Sequence, residues 1–256
     1  MSALDAFFTM VYRQVKRFLR SRSRIIGAIF MPIIWLIFFG MGWSKVFDFP
    51  YAKMIFGGVD YLSYLVPGVF AMSVFMGSSM SGISILWDKQ FGFLKELLVA
   101  PSSRAEGLAG RVFGDSLVVS LQGLVILLIS IPLTTSLKLS GIVPAILVGI
   151  LLSITFASVG ISMALKMGSQ EGFQVIINFI MMPLLFLSGA FYPIDTMPNW
   201  MKYLSYIDPL TYAVDACRYF LIGVSKFSVW FDIGALSILA VIFLGIAMIL
   251  FERTTL

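Results

Sequence analysis

Residues 88–115 read DKQFGFLKELLVAPSSRAEGLAGRVFGD, and eight of them are charged: Asp88, Lys89, Lys95, Glu96, Arg104, Glu106, Arg111 and Asp115. On both sides lie apolar runs long enough to cross a bilayer. Charge this dense is costly in hydrocarbon, so the stretch is expected in water between two spans. It is not an ordinary polar loop. Phe91, Leu94 and Leu98 share one helical face, with Leu97 beside them. Pro101 disfavours the helical conformation at Ala100 and ends that helix. Ser103, with Glu106 three residues on, has the pattern of a capping box that starts a second helix. A helix, a break and a helix bearing an apolar face fit two roles: a docking surface, or an amphipathic loop resting on lipid headgroups.

The whole composition agrees with a membrane setting. Of 256 residues, 59% are hydrophobic and 12% charged, and the mean hydropathy is +0.98. A soluble domain is about half apolar and about a quarter charged. The expected fold is an all-α polytopic membrane protein forming one transmembrane domain over residues 1–256. The segments between spans are too short for most independently folding domains. Histidine is absent, which removes the commonest general base and metal ligand. Cys217 is the lone cysteine, so neither an intrachain disulfide nor a cysteine metal site is expected. The net charge of +5 comes largely from the N-terminus and suits membrane orientation rather than nucleic-acid binding.

Outward from the charged stretch, residues 62–87 precede it as the second span and 112–135 follow as the third. Ser73, Gly77 and Ser81 recur at i, i+4 and i+8, and small residues on one face let helix backbones approach closely in lipid. Further toward the N-terminus, 25–43 is a first span with Pro32 as a kink. Its apolar core is longer than a signal peptide's and no small-residue cleavage site follows. Residues 1–24 form an amphipathic helix: Leu4, Phe7, Phe8, Val11, Val15, Phe18 and Leu19 lie mostly apart from Arg13, Lys16, Arg17 and Arg20. Such a helix is expected along the headgroups, its basic side toward anionic lipid.

Toward the C-terminus, 141–165, 173–190 and 232–251 are the fourth, fifth and sixth spans. Residues 191–231 are too interrupted by proline and charge to cross. Trp200, Tyr203, Tyr206, Tyr212, Tyr219 and Trp230 have the character of an interfacial belt. Two short re-entrant helices on the outer side, one on each side of Asp208–Pro209, are expected there. With six spans, the termini, 88–111 and 166–172 share one side and carry twelve Lys and Arg residues against six opposite. The positive-inside rule puts that side in the cytoplasm of a cell-membrane protein.

Asp215 and Arg218 sit three apart in a helical pattern, a spacing that suits an exposed ion pair of little energetic weight or a gate. Asn178 and Gln122, deep in spans, suit interhelical hydrogen bonds or substrate contact. The Ser73, Gly77, Ser81 ladder suits helix packing better than a substrate path. The many Met and Phe residues suit a deformable cavity and lipid contact equally.

The motif W-D-x-x-x-G-F-L-K-E-L-L-V-A-P-x-S-R, from Trp87 to Arg104, resembles the cytoplasmic loop of ABC type-2 exporter permeases, closest to the daunorubicin-type drug exporters and the nodulation-factor exporters. FLSGAFYPIDTMPNW (186–200) resembles the family's segment after the fifth span, and DPLTYAVDACR (208–218) its continuation, with Asp208 where many relatives have Asn. The resemblance implies a half-transporter. Two permeases, identical or not, work with two copies of a separate ATPase that holds ATP and Mg. It assigns Phe91, Leu94, Lys95, Glu96, Leu98, Pro101 and Arg104 to a coupling helix and its flanks. It places Tyr192, Pro193, Trp200, Asp208, Pro209, Asp215 and Arg218 in an outer gate. The chain itself has no G-x-x-x-x-G-K-[ST] phosphate loop.

Three classes of function compete. An exporter subunit for an amphipathic drug or lipid-like molecule accounts for the motifs, with export of a lipid-linked glycan or polysaccharide as the alternative. An ion-coupled transporter needs ionisable groups near the midplane, and the spans carry almost none. An intramembrane lipid-processing enzyme needs a catalytic constellation, and no such cluster stands out.

Overall fold

The computed structural model describes residues 3–47, 50–92 and 104–254. Among the described residues the chain is helical and contains no strand. The helices are α1 (Ala3–Leu19), α2 (Arg22–Trp35), α3 (Pro50–Ile55), α4 (Tyr61–Ser79), α5 (Ser81–Gln90), α6 (Arg104–Ser130), α7 (Ile142–Lys166), α8 (Gln170–Leu187), α9 (Asn199–Ser205), α10 (Pro209–Ile222) and α11 (Val229–Glu252). A π-helical turn, Leu36–Met41, and a last helical turn, Gly42–Ser44, extend α2.

Six stretches among these residues are long and apolar enough to cross a bilayer: Ile25–Ser44, Tyr61–Gln90, Ala105–Leu133, Leu139–Lys166, Gln170–Leu187 and Val229–Glu252. The protein is a multi-pass membrane protein of six spans. The second, built from α4 and α5 with a joint at Met80, is the most buried, while the first, fifth and sixth are largely uncovered by the chain itself. α4, α6, α7 and α10 make the core, α11 packs on α6 and α7, and α1 lies against α6.

The core is a knob set into a small-residue hollow. Phe70 of α4 is fully buried, and a methyl added at Gly123 of α6 or Gly149 of α7 would come within 2.5 Å or 2.9 Å of its ring. Close packing of this kind holds helices together in lipid, where apolar burial gives little driving force. The helix ends are locally determined. Asp60 caps α4, accepting from the Ser63 N–H at 3.0 Å and the Ser63 hydroxyl at 2.7 Å. It also accepts from Thr135 Oγ1 at 3.0 Å, which ties the second span to the turn after the third. Burial works to raise the Asp60 carboxyl, and these hydrogen bonds outweigh it, leaving the pKa below the ordinary value. Ser169 caps α8, Asp208 caps α10 with Pro209 at its first position, and Gly223 at φ 76° closes α10.

Two expectations change at the third span. The helix expected to start about Ser103 begins at Arg104 but runs unbroken into the third span, and α5 runs on to Gln90. Asp88 and Arg111 are therefore helical and buried rather than solvated. The N-terminal helix packs one side on the bundle. Its buried positions Ala6, Met10, Gln14 and Phe18 follow an i, i+4 line, whereas Phe8, Tyr12 and Leu19 are exposed. That buried line packs against α6 and holds the helix in place.

Candidate functional site

The first site sits between the end of α5 and the first turns of α6, on either side of the 91–103 segment. Arg111, two turns into α6, is fully buried, and Asp88, near the end of α5, is nearly so. Arg111 Nη1 donates to Asp88 Oδ2 at 2.5 Å, and Nη2 donates to Ser84 Oγ at 2.7 Å. From α1, Arg13 Nη2 lies 3.5 Å from Asp88 Oδ1. Opposite charges brought together in this way can leave water, which is why the single-residue argument for a solvated stretch failed here. Breaking such a buried pair by removing one partner costs about 3–5 kcal/mol, because the other charge is left uncompensated.

The same place fixes α1. A methyl on Gly110 would collide with the Phe7 carbonyl, and one on Gly114 would come 3.0 Å from the Val11 Cα and the Gln14 Cβ. The rings of Phe7 and Phe113 lie 5.7 Å apart. The Arg17 guanidinium stands 5.8 Å from the Trp87 ring centroid, within cation–π range. Three helices thus grip both roots of the segment. Phe91, the last turn before it, is 83% exposed. Leu94, Lys95, Glu96, Leu98 and Pro101 lie outside the described residues, as does the expected capping serine, Ser103, and Arg104 opens α6. Gly110, Gly114 and the Arg111–Asp88 pair were missed in the sequence. The signal available was two glycines four apart, with an arginine beside the first, near the start of a long helix.

The second site is at the opposite end. Two short helices, α9 and α10, do flank Asp208–Pro209. Arg218 of α10 is buried. Its Nη2 donates to the Gly189 and Ala190 carbonyls at 2.6 and 3.0 Å, and its guanidinium stacks on the Tyr64 ring. Asp215 is buried as well. It accepts from the backbone N–H of Lys226 at 2.9 Å and of Phe227 at 2.8 Å. The exposed Asp215–Arg218 pair is therefore not formed. Arg218 instead satisfies the buried Gly189 and Ala190 carbonyls, and Asp215 accepts from the part-buried N–H groups of Lys226 and Phe227, a stronger demand than a surface ion pair.

Around them, Lys226 pairs with Asp195, Tyr192 donates to the Phe186 carbonyl at 3.2 Å, and Tyr212 donates to the Tyr206 carbonyl. Pro193 precedes the short turn Ile194–Thr196. Of the aromatic belt, Trp200, Tyr203, Tyr206, Tyr219 and Trp230 are exposed and Tyr212 is buried. Burial pushes the Asp208 carboxyl up to about 8, against the lowering effect of the hydrogen bond from Leu210 N–H. Asp232, in the first turn of α11, is fully buried beside Asp215.

Within the spans, Ser73 Oγ donates to the Val69 carbonyl at 2.6 Å, Gly77 packs on Val119, and Ser81 is buried beyond the joint. Asn178 is exposed on α8. The interhelical hydrogen bonds expected of Asn178 and Gln122 are not made within the described chain, since neither amide has a partner there.

The profile of the ABC-2 type transporter family matches residues 5–222. This chain belongs to the ABC-2 type transporter family. Among ABC-2 relatives, it is 30% identical over 261 residues to a putative transport permease, ycf38, of Cyanophora paradoxa, covering 98% of this chain and 89% of that protein. It is 29% identical to the daunorubicin resistance ABC transporter permease protein DrrB1 of Streptomyces coeruleorubidus, covering 91% and 80%. It is 24% identical to the inner membrane transport permease YadH of Escherichia coli K12, covering 94% and 92%. Membership of the ABC-2 family implies partnership with an ABC ATPase subunit.

Proposed function

We propose that the chain is the membrane permease of an ATP-driven exporter. Two permeases, with two copies of a separate ATPase holding ATP and Mg, move an amphipathic drug or lipid-like molecule out of the cell. The termini and the 91–103 segment lie in the cytoplasm, and Phe91, Leu94 and Leu98 enter a groove on the ATPase, flanked by Lys95, Glu96, Pro101 and Arg104. The α9–α10 region, with Tyr192, Pro193, Trp200, Asp208, Pro209, Asp215 and Arg218, re-enters the outer leaflet and closes the cavity between the two permeases. Family membership and the kinship with a drug-resistance permease support this reading.

The observation that carries it is the buried Arg111–Asp88 pair with Arg13 beside it. A segment rooted in a rigid three-helix grip passes a push from outside into the spans, whereas a loop resting on headgroups has no need of one. The test is coexpression with the ATPase and purification through the permease. Leu94→Asp with Leu98→Asp should lose the ATPase, since each places a charge where apolar area is buried, while membrane insertion survives. Normal copurification with normal substrate-stimulated hydrolysis would defeat the proposal. Orientation is read by labelling single cysteines in a Cys217→Ser background: position 102 from the cytoplasm only, position 199 from outside only.

A further inference from the structure

Two cavities meet at the C-terminal end of the first span. One, of about 220 Å³, lies between that span, the start of α4 and the bend after α8, and every described residue that lines it is aromatic. Phe39 and Trp43 form one wall, Phe56 and Tyr61 a second, and Phe186 and Phe191 a third. The other, of about 260 Å³, is polar, with Ser44, Lys45, Lys53 and Asp60 in its lining. Phe47, Phe56 and Tyr61 line both, so the two are chambers of one site. Trp43 and Phe186 are about half exposed at the rim of the aromatic chamber, which opens it sideways between the first and fifth spans.

The rings of the aromatic chamber meet one another at mixed angles. Phe47 stands edge-on to Phe56 at 5.3 Å, with 85° between the planes, and lies 4.9 Å from Tyr61 at 40°. Phe39 and Phe191 are 5.7 Å apart at 41°. The chamber therefore presents both ring faces, which are negative, and ring edges, which are positive. An alkyl wall would receive any apolar guest alike, whereas this one gains from a guest with a π system of its own. Two phenols are among the lining side chains. Tyr192 donates to the Phe186 carbonyl. Tyr61 is more than nine-tenths buried, and its hydroxyl has no hydrogen-bond partner among the described residues. A buried hydroxyl without an acceptor is costly. Neither a lipid tail nor a quaternary ammonium, the other guest that ring faces attract, supplies one. Lys45, Lys53 and Asp60 give the polar chamber both signs of charge, so the rings and the hydroxyl, rather than charge, select the guest.

From this arrangement we infer that the site binds a flat aromatic molecule bearing an acceptor oxygen. Its rings lie against Phe39, Trp43 and Phe191, its oxygen accepts from the Tyr61 hydroxyl, and any polar substituent extends past Phe47 into the polar chamber. Together the two chambers have the size of a small-molecule site. The inference deepens the exporter reading by naming a substrate class, and rests on it only for the molecule's being carried.

The purified full-length chain in phosphatidylcholine nanodiscs is irradiated with one of three diazirine-tagged probes, and the labelled peptides are mapped. The probes are 2-acetylnaphthalene, its ring-saturated decalin counterpart, and 2-ethylnaphthalene, which lacks the oxygen. Labelling of 39–61 and 186–192 is taken relative to the exposed face of α11 around Val241, which reports each probe's concentration in the bilayer. On that scale acetylnaphthalene should exceed each of the others about fivefold, the weight of one ring–ring contact or one hydrogen bond. Trp43→Leu should erode the preference over the decalin. Tyr61→Phe should abolish the preference over ethylnaphthalene and keep that over the decalin. Trp230→Leu, which removes an exposed ring outside the chamber, should change neither. Equal labelling by the aromatic and saturated probes overturns the inference, and so does an acetyl preference that survives Tyr61→Phe. A tagged alkyltrimethylammonium that labels the chamber as strongly as acetylnaphthalene overturns it too. So does a chamber that no probe labels above the α11 level, the result if lipid or a second copy of the chain fills it. In vesicles containing the chain with its ATPase, chamber labelling without ATP-driven export of the same probe sinks the exporter reading and leaves the site standing. Export of that probe with no chamber labelling does the reverse.

Discussion

The guanidinium carbon of Arg218 lies 3.8 Å from the centroid of the Tyr64 ring, joining α10 to the second span. Both side chains are buried, so the cation has exchanged water for a π face and two carbonyl oxygens. The bend after the fifth span, at Gly189 and Ala190, is held by the same contact set. The helix α10 is thereby fastened to the most buried span.

Arg218→Ala should destabilise the purified protein by about 2–4 kcal/mol, from two orphaned carbonyls and a lost desolvated cation–π contact. Tyr64→Leu should cost less, because the carbonyl contacts remain. Thermal unfolding of both single variants and the double variant measures the coupling between them. Strict additivity would mean the ring contributes only packing.

At the opposite end, Arg111→Met alone should lose about 3–5 kcal/mol, and Asp88→Leu alone a comparable amount. The double variant should regain most of the stability, since an apolar pair of similar volume leaves no buried charge. A double variant as unstable as either single one would show that the Ser84 and Arg13 contacts, rather than the pair, hold the segment's roots.

Gly110→Leu should dislodge α1 without unfolding the spans, because the added side chain meets the Phe7 backbone directly. In a Cys217→Ser background, Phe7→Cys with Phe113→Cys should form a disulfide under mild oxidation, their rings lying 5.7 Å apart. The yield should collapse when Gly110→Leu is added. An undiminished yield would place the collision elsewhere.

Asp208 makes stability depend on pH. Its folded pKa is about 8 against an ordinary 3.8, so between those values the native state holds a proton that the unfolded chain has released. Stability from this group is full below about pH 4, falls as pH rises through the window, and stays low above about pH 8. Asp208→Asn keeps an oxygen to cap α10 and removes the titration. The variant's thermal midpoint should vary less between pH 5 and 8, within the window of about pH 4–8, and lie above the wild type's at the upper end. Parallel pH profiles would refute the assignment.

The six spans were legible because run length and charge density are properties of consecutive residues, and bilayer thickness converts them directly into helices. The two short helices around Asp208–Pro209 were legible for a related reason: a proline at the first helical position marks its own boundary. What was not legible depends on partners distant in the chain. Asp88 and Arg111 are 23 residues apart, so weighing each charge alone sent both to water. The Asp215–Arg218 spacing permits a pair on one helix, but the N–H groups at 226–227 and the carbonyls at 189–190 compete for them and win. Amphipathicity showed that the N-terminal helix has a face to cover, while the two glycines that receive it belong to another span.

The π-helical turn at Leu36–Met41 gives the first span a property the other five do not need. Phe39 within it and Trp43 after it stack in a line with Trp35, which precedes it, and both Trp35 and Phe39 meet Phe191, at 5.2 and 5.7 Å. A π turn holds one residue more than regular α-helical winding requires. Absorbing that residue would swing everything past it by about 100° and shift it by about 1.5 Å along the axis, with the backbone still hydrogen-bonded throughout. Trp43 would leave the line while Trp35 kept its contact with Phe191, and the residues past the turn would present a different set of side chains to whatever surrounds the protein. The span therefore carries a built-in spare tooth, a means of turning its C-terminal half while its N-terminal half stays still.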